Sequence, residues 1–227
     1  MTYKILLFSL LFLCGLVAAC AGVTQPDSNL QIEAAGSQNI PLPAPALGGE
    51  IPLEESLQRR RSVREYTTES LELTEISQLL WAAQGVTDPS GKRTAPSAGA
   101  LYPLEIYLAV GNINGLAHGV YRYIPGKHAL IRSIDHDLRN QLHAAALKQD
   151  AVYDAPVVII ITAVYKRTTA KYGSRGDRYV HMEVGAAAQN IYLQAESIDL
   201  GTVFIGAFHD DQVKKALQLK GDEQPLG

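Results

Sequence analysis

From Val157 to Val164 the chain consists of Val, Ile and Ala, broken only by Thr162. A strand with one wet face alternates apolar and polar residues, so an unbroken run of this kind is a strand covered on both faces. The fold must therefore put layers on either side of a sheet, and this run is expected at the sheet's centre. Leu104, Ile106, Leu108 and Val110 alternate with Glu105, Tyr107 and Ala109, which predicts a second, half-buried strand. Gly119 to Ile124 and His128 to Ile134 flank Pro125-Gly126, where Pro fixes φ at one turn position and Gly permits positive φ at the next, so a hairpin is expected. Helical spacing appears from Pro52 to Arg60, from Thr74 to a stop at Gly85, from Asp137 to Lys148, and from Tyr179 to Ile198. The last of these is so rich in alanine that a close neighbour must pack on it, and a second copy of the chain would serve. Gly201 ends that helix, Thr202 to Phe208 reads as a further strand, and Asp210-Asp211 opens a final helix with acids at its positive end. Strands and helices mix without strict alternation, which makes the class α+β.

The 227 residues carry 20 Lys+Arg against 23 Asp+Glu. That balance leaves no basic face of the kind duplex nucleic acid demands, and nucleic-acid binding is set aside. At the N-terminus Lys4 precedes an apolar stretch, Ile5 to Ala19, too short to span a bilayer comfortably as a helix. It reads as a signal peptide over residues 1–19. Its end, Val17-Ala18-Ala19-Cys20, has the form of a bacterial lipobox, in which small residues admit the peptidase and the cysteine is acylated. An ordinary secretory signal cut near Ala19, or an N-terminal anchor, are the other readings of the same residues. A lipidated Cys20 would hold the protein to a membrane of the bacterial cell envelope without spanning it. Removal of Cys14 with the signal would then leave no free thiol for a disulfide, a cysteine nucleophile or a zinc-thiolate site. The six histidines form no close ligand pair, and no metal is expected. Residues 20–50 are poor in charge and end in Pro41, Pro43, Pro45, Gly48 and Gly49, the composition of a flexible tether. The folded domain is expected over 51–227.

Four constellations could carry chemistry. Arg59, Arg60, Arg61 and Arg64 surround Ser62; guanidinium forks match phosphate oxygens bidentately, although a solvated helix end accounts for the same run. Pro96, Ser97, Ala98 and Gly99 lie in a loop of small residues that leads into a strand, where backbone N–H groups can approach a ligand. Lys171 and Tyr172, two proton carriers side by side, fall on a glycine-flanked basic loop. Gly206 and Ala207 bring exposed backbone to a strand end, where a tight turn is the simpler explanation.

In order and spacing, the Arg-Ser-x-Arg segment, the stretch Ala95 to Pro103, the Val-Ile strand, the helix with Gly185, Gln189 and Asn190, and Ile205 to Phe208 together resemble the nitroreductase superfamily of FMN enzymes. The branch most similar is that of the SagB/ThcOx dehydrogenases, and the resemblance runs from about Arg59 to Leu226. It implies a central, largely antiparallel sheet wrapped by helices, in a homodimer with FMN sites at the subunit interface. It also implies that Arg60, Arg61, Ser62 and Arg64 hold the FMN phosphate and ribityl chain. Pro96, Ser97, Ala98 and Gly99 would approach the flavin from the partner subunit, and Gly206 and Ala207 would offer N–H groups near its reactive nitrogen. Lys171 and Tyr172 match a pair needed for catalysis in azoline-oxidising relatives. Such relatives continue past Glu-Gln-Pro-Leu with a strand that crosses to the partner. The sequence stops at Gly227, so either it is incomplete or that strand is lacking.

The expected activity is FMN-dependent dehydrogenation of a small or peptidic substrate, on the pattern of azoline to azole. Nitro or quinone reduction, and a non-catalytic flavin-binding or scaffold lipoprotein, are the alternatives. Outside the cytoplasm NAD(P)H is scarce, so direct oxidation of substrate with electrons passed to a quinone or oxygen is the expected cycle.

Overall fold

The computed structural model describes residues 39–227. The expected signal peptide, Cys20 and the beginning of the tether lie outside the described residues.

Six strands form one sheet: β1 (Asn39–Pro41), β2 (Leu104–Val110), β3 (Gly119–Ile124), β4 (Ala129–Ile134), β5 (Val157–Val164) and β6 (Glu223–Pro225). Their order is β1-β4-β3-β2-β5-β6, and every neighbouring pair is antiparallel. Seven helices accompany it: α1 (Leu53–Arg59), α2 (Leu73–Gln84), α3 (Arg139–Ala145), α4 (Asp150–Asp154), α5 (Lys166–Tyr172), α6 (Arg175–Ser197) and α7 (Asp210–Leu217).

Alternation along β2 explains the layers. Ile106 and Leu108 turn to one face, where they meet Ile76 and Leu80 of α2 and Val180, Ala187 and Ile191 of α6. Tyr107 and Ala109 turn to the other, where they meet Leu142 of α3, Val152 of α4 and Val213 and Leu217 of α7. Both faces are therefore covered, and β2 is not half-buried as its alternation predicts; only Glu105, paired with Arg122 and Arg167, keeps partial exposure. The chain has the α+β architecture expected, a helix-wrapped antiparallel sheet. The strand at Val157–Val164 is fifth of six and not central. Burial on two faces is conferred by the helices above and below, and carries no information about rank in the sheet.

Other expectations change in detail. The β3–β4 connection places its left-handed residue at His128 (φ 44°) and not at Gly126, because Pro125–Lys127 closes as a single tight helical turn. The predicted helix over Asp137–Lys148 is shortened to α3: positive φ at Leu147 and Lys148 turns the chain, and α4, which lies beyond the predicted span, starts afresh at Asp150. Thr202–Phe208 forms no strand and bends at Phe208; one ladder-like contact, Val63 N–H to Thr202 O (3.0 Å), ties it to the segment after α1. The tether's distal part is docked. Asn39–Pro41 adds an edge strand to β4, and Leu42 is buried. Gln78 accepts the Ala46 N–H at 2.9 Å and donates back to its carbonyl at 3.0 Å. Prolines prevent a helix there but leave carbonyls free to accept: the oxygen of Pro43 takes hydrogen bonds from Ser77 Oγ and His128 Nε2.

Candidate functional site

The arginine segment leaves the C-terminus of α1 and runs against α6. Arg59 is held by carboxylates, Glu55 at 3.1 Å and Glu196 at 3.0 Å. Arg61 spends part of its guanidinium on the carbonyls of Gln58 (3.0 Å) and Arg60 (2.7 Å), closing the helix end. Arg60 lies 5.1 Å above the ring of Tyr192, a cation–π arrangement that leaves its N–H groups free. Arg64 is exposed beside Tyr66, whose phenol burial pushes up and Arg64 draws back down.

Tyr192 joins this segment to the Gly206 loop. Its hydroxyl accepts the Phe204 N–H at 2.8 Å and lies 3.1 Å from Ser62 Oγ. Gly201 packs so closely on Val63 that a Cβ there would stand 2.8 Å from the valine. Gly206 and Ala207 are exposed, and their N–H groups have no partner among the described residues. Arg60, Ser62, Gly206 and Ala207 thus belong to one connected surface, although they are nearly 150 residues apart in sequence. Behind it is a cavity of about 510 Å³ between β5 and α6, lined chiefly by apolar groups such as Val157, Ile159, Ile191, Ala195 and Val203.

The second cluster forms around the loop after α2. Ser97 Oγ accepts the N–H of Tyr102 (2.8 Å), and Glu183 of α6 accepts the N–H of Ala98 (2.8 Å). Pro96 and Gly99 are exposed. Gly99 has φ 62°, and a Cβ on it would lie 2.7 Å from Tyr172 Oη and 3.0 Å from Lys171 Nζ. Lys171 and Tyr172 are not on a loop as expected. They occupy the last turn of α5, which Gly173 terminates at φ 56°. The helix fixes their backbone, and Tyr179 meets the Tyr172 ring edge-on at 5.1 Å between centroids.

Within one chain the structure therefore ties Ser62 and Val63 to Thr202–Phe204, just before Gly206–Ala207, and brings Gly99 to Lys171–Tyr172. No hydrogen bond or ion pair joins the two groups among the described residues. Their supports on α6, Glu183 and Tyr192, are nine residues apart, about 14 Å along the helix axis at 1.5 Å per residue. Both supports escape sequence reasoning. Each sits on a helix face that reads as core, and only a buried carboxylate at the inward position of Glu183 offers a signal.

The nitroreductase family model matches residues 57–227, almost the whole described body. The chain belongs to the nitroreductase family. It is an oxidoreductase of this flavin-using class, and both clusters fall within the matched span. The nitroreductase-named MJ1384 of Methanocaldococcus jannaschii is 54% identical over 177 residues, 78% of this chain and 88% of that protein. The microcin B17-processing protein McbC of Escherichia coli is 28% identical over 155 residues, 66% of this chain and 57% of McbC. Among solved structures, a protein of Ralstonia eutropha named as a nitroreductase superposes with a TM-score of 0.73 at 33% identity, covering 84% of this chain and 87% of the other.

Proposed function

We propose that this nitroreductase-family protein is an FMN-dependent dehydrogenase of SagB/ThcOx type that oxidises a small or peptidic azoline-like substrate. The observation that carries the reading is the seating of Lys171 Nζ and Tyr172 Oη together against Gly99. Two proton carriers held at one point by a rigid helix end suit removal of a C–H or N–H proton as hydride leaves the same substrate. The relationship to McbC, named for processing microcin B17, favours a peptidic substrate.

The residues present fit FMN. Arg60 and Arg64 form no ion pair among the described residues, so they are available to a phosphate, while Arg59 is already neutralised by carboxylates. The unpaired N–H groups of Gly206 and Ala207 suit an electron-rich edge of a ring. When bound, FMN would supply the hydride acceptor. Ser62, oriented by Tyr192, contributes a further donor to the phosphate or ribityl chain.

A complete site requires both clusters, and one chain keeps them apart. A homodimer in which Ser97–Gly99 of one protomer faces Arg60–Arg64 of its partner would unite them. The exposed side of α6 suits such a contact: Met182, Gly185 and Gln189 form an uncharged stripe, and Gly185 meets nothing within 4 Å of a Cβ. Acylation at Cys20 would place the dimer on a membrane of the cell envelope.

Nitro or quinone reduction is the second reading, favoured by the 54% identity to a protein named as a nitroreductase. Anaerobic mixing of the FMN-loaded full-length protein with 2-methyl-2-thiazoline, and separately with NADPH, distinguishes them. Bleaching of the flavin by the thiazoline alone is the expected result. Bleaching by NADPH alone, reversed by a quinone or a nitroaromatic, establishes the second reading; a protein that takes up no FMN is a binding or scaffold lipoprotein.

A further inference from the structure

Glu183 is a carboxylic acid placed where the helix should present an apolar residue. It is 6% exposed, and its neighbours along α6, Val180, Val184 and Ala187, are core. One of its oxygens accepts the N–H of Ala98, and the Ser97 hydroxyl also lies within its reach. Arg93 is the charged group that faces it, and burial raises its pKa against all three of these influences.

The loop it grips is in an unfavourable conformation. Ala100 and Tyr102 have φ of 53° and 45°, values that residues bearing a Cβ seldom adopt, and Gly99 stands beside them at 62°. Such a loop persists only when its surroundings over-determine it. Arg93 stacks on the Tyr102 ring at 4.3 Å, and its N–H donates to the Tyr102 hydroxyl at 3.2 Å. Arg167 donates to the Tyr102 carbonyl at 3.1 Å, and Ser97 caps the Tyr102 N–H. These contacts secure the far end of the turn. At the near end the Ser97 carbonyl accepts the Ala100 N–H at 3.0 Å within the turn, and Glu183 grips Ala98 from α6, one residue before the Gly99 surface on which Lys171 and Tyr172 rest.

We infer that Glu183 is a positioning residue whose carboxylate fixes the Ser97–Gly99 turn and, through it, the seat of Lys171 Nζ and Tyr172 Oη. Its catalytic significance rests on the reading of Lys171 and Tyr172 as the proton-handling pair; its structural content does not. Gln retains an acceptor oxygen for the Ala98 N–H, Ala removes it, and Asp withdraws it by one methylene.

The test uses the full-length FMN-loaded protein and the variants Glu183→Gln, Glu183→Ala and Glu183→Asp, with Asp standing in should Ala fail to fold. Amide exchange at Ala98 and trace acetylation of Lys171 by acetic anhydride, referred to Lys148 and Lys220, read the turn and the seat without any substrate. Glu183→Ala should speed Ala98 exchange by about 10- to 100-fold, as loss of a hydrogen bond to a charged group implies. It should also change Lys171 labelling, with Glu183→Gln close to wild type and all bleaching rates referred to the flavin actually bound. Thiazoline-driven bleaching should slow in its limiting rate with the half-saturating concentration unchanged. Lys171 labelling that is identical in wild type, Glu183→Ala and Glu183→Asp overturns the inference. Failure of the catalytic reading looks different: Lys171→Ala and Tyr172→Phe would then bleach at the wild-type rate, while the exchange and labelling results for Glu183 still stand or fall by themselves.

Discussion

Single atoms decide whether the two clusters keep their shape. A methyl group at Gly99 would have to adopt φ 62° and would stand 2.7 Å from Tyr172 Oη, so the substitution both strains the turn and displaces the proton-handling pair. Gly99→Ala should destabilise the protein by about 1 to 2 kcal/mol, lowering Tm by roughly 2 to 8 °C for a chain of this size, and should slow turnover beyond what that loss explains. Thermal melts paired with flavin-bleaching rates would show it; equal rates in both proteins would mean that the close approach is incidental. Glu183 predicts a pH dependence of known sign. Its folded-state pKa is raised, so the native protein holds this proton to higher pH than the unfolded chain does. Stability should fall as pH rises from the ordinary carboxylate range through that raised pKa, and level off above it. Glu183→Gln, which cannot ionise, should flatten this part of the curve in urea unfolding followed from mildly acid to neutral pH. A difference between the two proteins that does not change with pH in this window would remove the group from the balance.

Elements matter here chiefly through α6. Its inward face builds the core with α2, and its two ends support different clusters, Glu183 the Ser97–Gly99 turn and Tyr192 the arginine segment. Polar pins fix its position against α2: Asn190 donates to the Ala82 carbonyl, and Gln78 donates to Gln194. Gln78 also clamps Ala46 through both its amide groups, so one side chain ties together the docked N-terminal segment, α2 and α6. Gln78→Ala should cost about 1 to 3 kcal/mol, because it removes three hydrogen bonds made by a buried side chain, and should expose the segment around Ala46 to proteolysis. Resistance equal to that of wild type would show that β1 and the Pro43 contacts hold the segment unaided. Thr202–Phe208 illustrates the opposite case. Its residues suit a strand, but the neighbours available to them are the Tyr192 hydroxyl, the backbone of Val63 and the Gln149 amide, which donates to the Ala207 carbonyl, and the N–H groups of Gly206 and Ala207 have no partner among the described residues.

For the whole molecule, helices over both sheet faces bury the strands, while α6 still presents Met182, Gly185 and Gln189 outward. If a second copy packs there, Gly185→Arg should give a folded monomer that retains little FMN. The change improves helix propensity and meets no atom of its own chain, so monomer stability should not suffer. Sedimentation with flavin quantification checks this; a dimeric, fully flavinated variant would move the interface elsewhere.

The periods along the chain determine the α+β class and most of the longer strands and helices, because burial imposes a spacing of two or of 3.6 on whichever residues face the core; the short β1 and β6, and α5, carry no such signal. The segments that closely fit their expected elements, β2, β3, β5 and α2, are those with a regular apolar pattern or a clear turn signal beside them. Motif order along the chain was enough to mark Arg60, Ser62, Ser97, Gly99, Lys171, Tyr172 and Gly206 as candidates. What it lacked was partnership. The rank of β5 in the sheet, the docking of Asn39–Ala46, the placement of Lys171 and Tyr172 on a helix end, and the roles of Tyr192 and Glu183 all depend on contacts between residues far apart in sequence. Such contacts are set by how helices cover the sheet, and a one-dimensional pattern records which residues seek burial but not which distant groups they will meet there.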